Sequence, residues 1–201
     1  MFSIIQAAGW PIYPLLLASI IAVALIIERA TALRRSKIVP AGLLASVAGD
    51  YRQGGVSEQM LQRLERHSPL GRVFAAALRN LKSSREVMRE AVEEAGRGAA
   101  HEMSRFLTSL GTIASISPLM GLFGTVVGMI EIFGSPTASG NNPQALAHGI
   151  SVALYNTGFG LIIAIPSMIF YRHFRALVDG LAIEMEQQAV KLVELVQGER
   201  K

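Results

Sequence analysis

The sequence contains no cysteine, which excludes disulfide bonds, thiolate nucleophiles and metal sites built on cysteine. Aromatic residues make up only 6% of the chain and do not alternate with its basic residues, so no stacking platform for nucleic acid is present. A phosphate-binding glycine loop, a nucleophile elbow and a catalytic pair of carboxylates are also missing. The sequence therefore predicts no enzyme activity, no cofactor and no ATP site. No metal site is predicted either, because the histidines are scattered (His67, His101, His148 and His173).

Charged side chains are absent from residues 1–27, 106–130 and 132–171. About 20 apolar residues are enough to cross a bilayer, so each stretch can hold a transmembrane helix. All 19 lysine and arginine residues lie in 29–105 or 172–201, and such segregation marks the cytoplasmic side of a membrane protein. We interpret these basic residues as setting orientation and contacting lipid headgroups, and not as contacting nucleic acid. The sequence thus predicts three spans, with the N-terminus outside and the C-terminus in the cytoplasm.

The predicted fold is an all-α integral membrane protein with a cytoplasmic helical domain. Its segments are an outer N-terminus (1–9), a first transmembrane helix (10–28), a cytoplasmic helical loop (29–105), a second transmembrane helix (106–133), an outer loop (134–148), a third transmembrane helix (149–171) and a cytoplasmic C-terminal helix (172–201). Turn signals at Gly49-Asp50, Gly54-Gly55 and Ser68-Pro69 divide the loop, and a new helix is expected to start near Ser84. No strong helix breaker lies between Ser84 and Pro118, so the second transmembrane helix is expected to be the end of a long helix that begins in the cytoplasm. The third transmembrane helix is also expected to be long and to continue into the cytoplasm.

The C-terminal helix carries apolar residues at alternating spacings of four and three. This heptad pattern is typical of a helix that packs along another helix. A solvated amphipathic helix remains the alternative, and in the first case the partner could be the same helix of another subunit. The positions are Phe174, Val178, Leu181, Met185, Gln188, Leu192 and Leu195.

The second and third spans are rich in small residues and each contains a proline. Small residues allow helix backbones to approach closely in lipid, and an interior proline frees a carbonyl that protein or water must satisfy. We therefore predict that these two helices pack against protein through Gly121, Gly124, Gly128, Gly158, Gly160, Pro118 and Pro166. The hydroxyl of Thr125 can either bond to a carbonyl one turn earlier or face a lumen.

Two strings in these spans resemble a known family. SPLMGLFGTVVGMIEIF, at 117–133, and ISVALYNTGFGLIIAIP, at 150–166, resemble the second-span and third-span signatures of the MotA/TolQ/ExbB proton channel family, closest to ExbB/TolQ. The resemblance extends over nearly the whole chain. It implies a homopentamer in the bacterial inner membrane, with a periplasmic N-terminus, whose second and third spans line a pore. That pore would hold a single-span ExbD/TolR-like partner and act on a TonB-like or TolA-like protein.

The resemblance also implies a set of pore residues. Thr125 and Thr157 match the family's pore threonines, and Ser151, Val152 and Asn156 fall on the predicted pathway. The family usually carries a glutamate where this chain has Val152, so a titratable group is missing there. Asn156 lies one turn deeper and adds polarity, but an amide cannot carry a proton near neutral pH.

One acidic residue, Glu131, lies between Arg105 and Arg172. Intramembrane carboxylates are functional candidates. However, six positions from Thr125 rotate the side chain by roughly 240° around the helix, away from the small-residue face. Contact with headgroups is the alternative.

Taken with the resemblance, these features predict an ExbB-like subunit of a proton-driven motor that energises TonB-dependent outer-membrane import. A TolQ-like subunit of the Tol-Pal envelope and division system is a close alternative, because both use nearly the same transmembrane motifs. A MotA-like flagellar stator fits three spans and a short loop less well. A membrane scaffold that packs helices without conducting protons is the alternative from another class.

Overall fold

The structure, a computed structural model, describes residues 9–134 and 143–197. Across these two ranges the regular elements are eight α-helices, with no strand. They are α1 (Ile12–Ala32), α2 (Arg35–Ile38), α3 (Leu43–Gly54), α4 (Glu58–His67), α5 (Pro69–Arg79), α6 (Arg85–Met103), α7 (Leu107–Gly134) and α8 (Pro143–Gln197). The predicted all-α fold is confirmed.

The chain divides into two compact units. An apolar unit comprises Met1–Glu28 and Phe106–His173, and a polar unit comprises Arg29–Arg105 and Phe174–Lys201. Three helices are long and apolar enough to cross a membrane, over Ile12–Ala32, Leu107–Ile130 and within Ala153–Gln197. The three predicted spans are thus confirmed as membrane-spanning candidates. Residues 1–8 of the predicted outer N-terminus and 135–142 of the predicted outer loop lie outside the described residues, whereas residues 143–148 of that loop already belong to α8.

The second span is not continuous with the helix before it. Helix α6 ends at Met103, and Phe106 adopts a left-handed conformation with a φ of 65° before α7 begins at Leu107. Such a backbone costs a non-glycine residue roughly 1–2 kcal/mol, so the surrounding structure has to hold it. By contrast, Gly96 and Gly98 lie inside an unbroken α6. The prediction of one unbroken helix from Ser84 towards Pro118 is therefore wrong. The break falls at residues 104–106 and not at the two glycines that weaken the helix, each of which costs only about 1 kcal/mol.

Arg29 stabilises the end of α6. Its side chain is buried, with 6% of its surface exposed, and Nη1 donates a hydrogen bond to the Met103 carbonyl at 3.1 Å. The last carbonyls of a helix lack partners within the helix and carry partial negative charge, so a guanidinium is a suitable cap.

Serine caps begin three helices of the polar unit. The hydroxyls of Ser57, Ser68 and Ser84 accept hydrogen bonds from backbone amides at 3.2, 3.1 and 3.4 Å. The restarts predicted at Ser68 and near Ser84 are therefore confirmed. The turn predicted at Gly54-Gly55 is also present, and Gly55 has a φ of 68°. The turn predicted at Gly49-Asp50 is wrong, because both residues lie within α3, which continues to Gly54.

The heptad face of α8 is covered within the chain. Phe174, Val178, Leu181, Met185 and Leu192 are all buried in the polar unit, each with 3% or less of its surface exposed. The predicted helix–helix packing is present, but its partner is not another subunit's copy of α8. The predicted heptad position Gln188 is only half-buried, and the next residue, Ala189, is fully buried instead.

An ion pair fixes α2 to α8 inside the polar unit. Arg35 Nε donates to Glu184 Oε2 at 2.9 Å, and a second nitrogen of the same guanidinium donates to Oε1. The hydrogen bonds from Arg35 lower the pKa of Glu184 below its usual range. The pair is largely solvent-exposed, so it contributes to the geometry of the unit more than to its stability.

Candidate functional site

Helices α7 and α8 cross so closely that their backbones touch. A Cβ added to Gly121 would lie 2.7 Å from the Asn156 carbonyl oxygen and 3.0 Å from the Thr157 Cα. A Cβ added to Gly160 would lie 2.6 Å from the Ser117 carbonyl oxygen. Both positions require glycine because no larger residue fits without moving a backbone, which is how small residues bring membrane helices together.

The other predicted packing glycines differ from these two. A Cβ added to Gly124 would lie 2.8 Å from both Cβ and Cγ of Asn156. At Gly128 the nearest atom would be Ala153 Cβ at 3.5 Å, an ordinary contact, and at Gly158 no atom lies within 4 Å. Among these predicted packing glycines, close approach therefore occurs at Gly121, Gly124 and Gly160, and Gly158 takes no part in the crossing.

Two threonines from different spans meet at this crossing. The hydroxyl oxygens of Thr125 and Thr157 are 2.6 Å apart. Thr125 Oγ1 also lies 2.9 Å from the Ala153 carbonyl oxygen and 3.2 Å from that of Gly121, while Thr157 Oγ1 lies 3.4 Å from the Gly121 carbonyl oxygen. Thr125 thus bonds back along its own helix, as one alternative predicted, and also bonds across to α8.

Each hydroxyl has one proton to donate, so the hydrogen bond between the two can run in either of two directions. In the first, Thr157 donates to Thr125, which donates to the Ala153 carbonyl. In the second, Thr125 donates to Thr157, which donates to the Gly121 carbonyl. O–H···O bonds are best at 2.5–3.0 Å, so the first pattern has the better distances (2.6 and 2.9 Å) and the second the poorer (2.6 and 3.4 Å). The pair can reverse its direction without gaining charge.

Both spans contain an interior proline next to a buried serine. Pro118 and Pro166 each remove one backbone N–H from their helix. Beside them, the hydroxyls of Ser117 and Ser167 each donate to the carbonyl four residues earlier at 2.7 Å. These serines keep polar groups satisfied near the interrupted hydrogen-bond ladder, which an apolar environment requires.

The structure brings three of the predicted pathway residues together and separates a fourth. Asn156, Thr125 and Thr157 lie at the crossing, and Asn156 is buried with 1% of its surface exposed. Ser151 is exposed, and its hydroxyl bonds to the Ala147 carbonyl at 2.9 Å. The side chains of Val152 and Glu131, and that of His148, lie outside the described residues.

Two participants at the crossing were missed from the sequence. Ala153 supplies the carbonyl that accepts from Thr125, and Ser117 supplies the carbonyl that contacts Gly160. Both act through backbone carbonyl oxygens, and the identity of a side chain does not indicate such a role. The available signal was their spacing, since Ala153 lies one helical turn before Thr157 and Ser117 one turn before Gly121.

The crossing is a neutral site. Its functional groups are hydroxyls, an amide and backbone carbonyls, none of which titrates near neutral pH. Over residues 9–134 and 143–197, no group of three or more histidine, aspartate or glutamate side chains is placed to hold a metal ion. The site can order hydrogen bonds, but it does not store a proton.

Three apolar helices, of which the second and third meet through glycines and a threonine pair, define a polytopic membrane protein with a polar crossing inside its membrane unit. The chain belongs to the MotA/TolQ/ExbB proton channel family, whose profile matches residues 65–187. The resemblance of the two span strings to this family is thereby confirmed.

Relatives of the chain are named as biopolymer transport proteins. The chain is 35% identical over 179 residues to the biopolymer transport protein ExbB-like 3 of Synechocystis sp., covering 86% of this chain and 83% of that protein. It is 28% identical to an ExbB homolog of Methanothermobacter thermautotrophicus (72% of this chain, 51% of that protein). It is 31% identical to ExbB of Pseudomonas putida (71% of this chain, 35% of that protein). The chain therefore spans about half or less of the length of the last two proteins.

Proposed function

We propose that this chain is an ExbB-like subunit of a proton-driven motor in the bacterial inner membrane. With a single-span partner resembling ExbD, it energises TonB-dependent import across the outer membrane. Family membership and the ExbB names of its relatives support this class of subunit. The observation that carries the proposal is the pairing of Thr125 with Thr157, because it sets two hydroxyls from neighbouring spans against each other inside the apolar unit.

In this proposal the partner carries the proton. The third span has no acidic residue, and valine stands at position 152 where the family usually has glutamate. A carboxylate on the partner's transmembrane helix titrates, while Thr125 and Thr157 exchange hydrogen bonds with it. Since the two hydroxyls can reverse their donor direction, one of them can donate a hydrogen bond to the ionised carboxylate or accept one from the protonated carboxyl without becoming charged.

The assembly we propose is a homopentamer whose α7 and α8 surround the partner's helix. The N-terminus is periplasmic and the polar unit is cytoplasmic, because all 19 lysine and arginine residues lie outside the three uncharged stretches. A TonB-like protein receives the motion. The exposed apolar residues of α1, including Leu17, Ile20 and Ile27, face lipid in this arrangement.

Proton uptake into liposomes tests the proposal. The chain is reconstituted with its single-span partner, and we expect uptake above that of empty liposomes. Thr125→Val and Thr157→Val are each expected to slow uptake severalfold while the complex still assembles, because each removes a hydroxyl at nearly constant volume. Thr112→Val is the matched control, since the Thr112 hydroxyl is exposed and bonds to the Thr108 carbonyl of its own helix at 2.9 Å.

The outcomes separate the alternatives. Uptake equal to that of empty liposomes would favour a non-conducting scaffold. Uptake unchanged in both threonine variants would remove the pair from the pathway. Expression in a strain lacking ExbB, and separately in one lacking TolQ, distinguishes the two motors. Restored TonB-dependent import supports the ExbB-like role, and restored envelope integrity alone supports the TolQ-like role.

A further inference from the structure

Asn156 is a polar side chain buried between the second and third spans. Only 1% of its surface is exposed, whereas the preceding residues Leu154 and Tyr155 are 60% and 40% exposed. Its side chain is directed at α7, where a Cβ on Gly124 would lie 2.8 Å from its Cβ and Cγ and 3.2 Å from its Nδ2. The amide therefore occupies the space that a side chain at position 124 would otherwise fill.

This contact differs in kind from the close approaches at Gly121 and Gly160, and it is tighter than the contact at Gly111, where a Cβ would lie 3.0 Å from the Tyr171 ring. At Gly121 and Gly160 the nearest atoms belong to backbone, so those glycines determine how near the helices come but recognise no side chain. At Gly124 the three nearest atoms all belong to the side chain of Asn156. Of the contacts at Gly121, Gly124 and Gly160, this is the one whose geometry depends on the identity of a side chain.

We infer that Asn156 is a positioning residue, whose side chain seats on Gly124 and holds the rotation and register of α8 on α7 that bring Thr157 against Thr125. Asn156 directly precedes Thr157, and Gly124 directly precedes Thr125, so the seated pair and the hydroxyl pair are adjacent on both helices. The functional consequence rests on the proposed role of the threonines; the positioning itself does not.

A disulfide reporter measures this register directly. The chain has no cysteine, and a Cβ at position 128 would lie 3.5 Å from Ala153 Cβ. Disulfides form when the two Cβ atoms are about 3.5–4.5 Å apart. The full-length double variant Gly128→Cys/Ala153→Cys, oxidised in membranes together with the partner, is therefore expected to cross-link within the chain in high yield when the register is native.

Moving side-chain volume from position 156 to position 124 then tests whether the contact between Asn156 and Gly124 sets the register. In the reporter background, Gly124→Ala and Asn156→Gly are each expected to lower the initial cross-linking rate by about threefold or more. The combined variant should recover to within about twofold of the parent, because the new methyl group takes the place of the deleted side chain. Such a recovery is a coupling between contacting residues, as double-variant cycles detect.

Two controls exclude a general loosening of the helices. Leu154→Gly introduces the same backbone freedom as Asn156→Gly at an exposed position and should leave cross-linking unchanged. Gly121→Ala should not be rescued by Asn156→Gly, because its added Cβ meets the backbone oxygen of Asn156 at 2.7 Å, which no substitution removes.

Native cross-linking in Gly124→Ala, or a combined variant no better than the worse single variant, would overturn the inference. Proton uptake is measured on the parent, Gly124→Ala, Asn156→Gly and the combined variant, all without the reporter cysteines. If cross-linking follows the expected cycle while uptake is equal in all four, Asn156 positions the helices as inferred and the proposed proton role of the threonines fails instead.

Discussion

Thr125 and Thr157 make unequal contacts, and this asymmetry predicts unequal effects on stability. If Thr157 becomes valine, Thr125 keeps its contacts with the carbonyl oxygens of Ala153 at 2.9 Å and Gly121 at 3.2 Å. If Thr125 becomes valine, Thr157 keeps only the 3.4 Å contact with the Gly121 carbonyl. The first loss leaves a well-bonded hydroxyl, and the second leaves a partly buried hydroxyl with a poor bond.

The magnitudes follow from these contacts. A hydrogen bond within a protein contributes about 1 kcal/mol net, and bonds between membrane helices average roughly 0.6 kcal/mol. Thr157→Val removes one such bond and should cost about 0.5 kcal/mol. Thr125→Val removes the bonds to Thr157 and Ala153 and should cost about 1–2 kcal/mol. The double variant should cost no more than Thr125→Val, because the two residues share one interaction.

Reversible unfolding in mixed micelles of a mild detergent and dodecyl sulfate, followed by circular dichroism, measures these differences. Thr112→Val serves as the reference, since its hydroxyl bonds only within α7 among the described contacts. Equal costs for the two single variants that add in the double variant would refute the asymmetry, because additivity is the behaviour of residues that do not interact.

Two further predictions concern the polar unit. Gly71→Ala should lower the free energy of unfolding of the solubilised chain by about 1–3 kcal/mol, because its Cβ would lie 2.2 Å from the Leu64 carbonyl oxygen. Gly98→Ala is the matched control, because its Cβ meets nothing within 4 Å, and it should raise the free energy of unfolding by up to about 1 kcal/mol. Hydrogen bonds from Arg35 lower the pKa of Glu184, so the pair's contribution is complete above the ordinary glutamate pKa and is lost as the pH falls through the lowered one. In Arg35→Gln, an NMR titration should find the Glu184 pKa back in its usual range.

The spans and the face on which they meet were predictable because both are properties of side-chain type and spacing. Uncharged stretches identify helices that can cross a membrane, and the glycines between 121 and 128 identify the packed face of α7. Spacing could not distinguish Gly124, which needs to be glycine, from Gly128, which has room for a Cβ. That difference depends on which atom of α8 lies opposite, and therefore on tertiary packing.

The break between α6 and α7 was not predictable for a related reason. Neither Ser104 nor Phe106 is a helix breaker, and phenylalanine is an unfavourable residue for a left-handed backbone. The hydrogen bond that caps α6 joins Arg29 to the Met103 carbonyl, and these two residues are 74 positions apart in sequence. A long-range cap of this kind has no local signature, whereas the serine caps at Ser57 and Ser68 do, and the latter was predicted.

The heptad face of α8 shows how a correct pattern can indicate the wrong partner. Spacings of four and three establish that one side of the helix is buried, and Val178, Leu181, Met185 and Leu192 are indeed buried. They do not establish what covers that side, because helices of the same chain and of another copy present the same apolar surface. Since the polar unit covers this face, contacts between subunits of the proposed pentamer have to use other surfaces. The contact between α7 and α8 also lies within one chain, so a substitution at Gly124 acts on each threonine pair of the proposed pentamer separately.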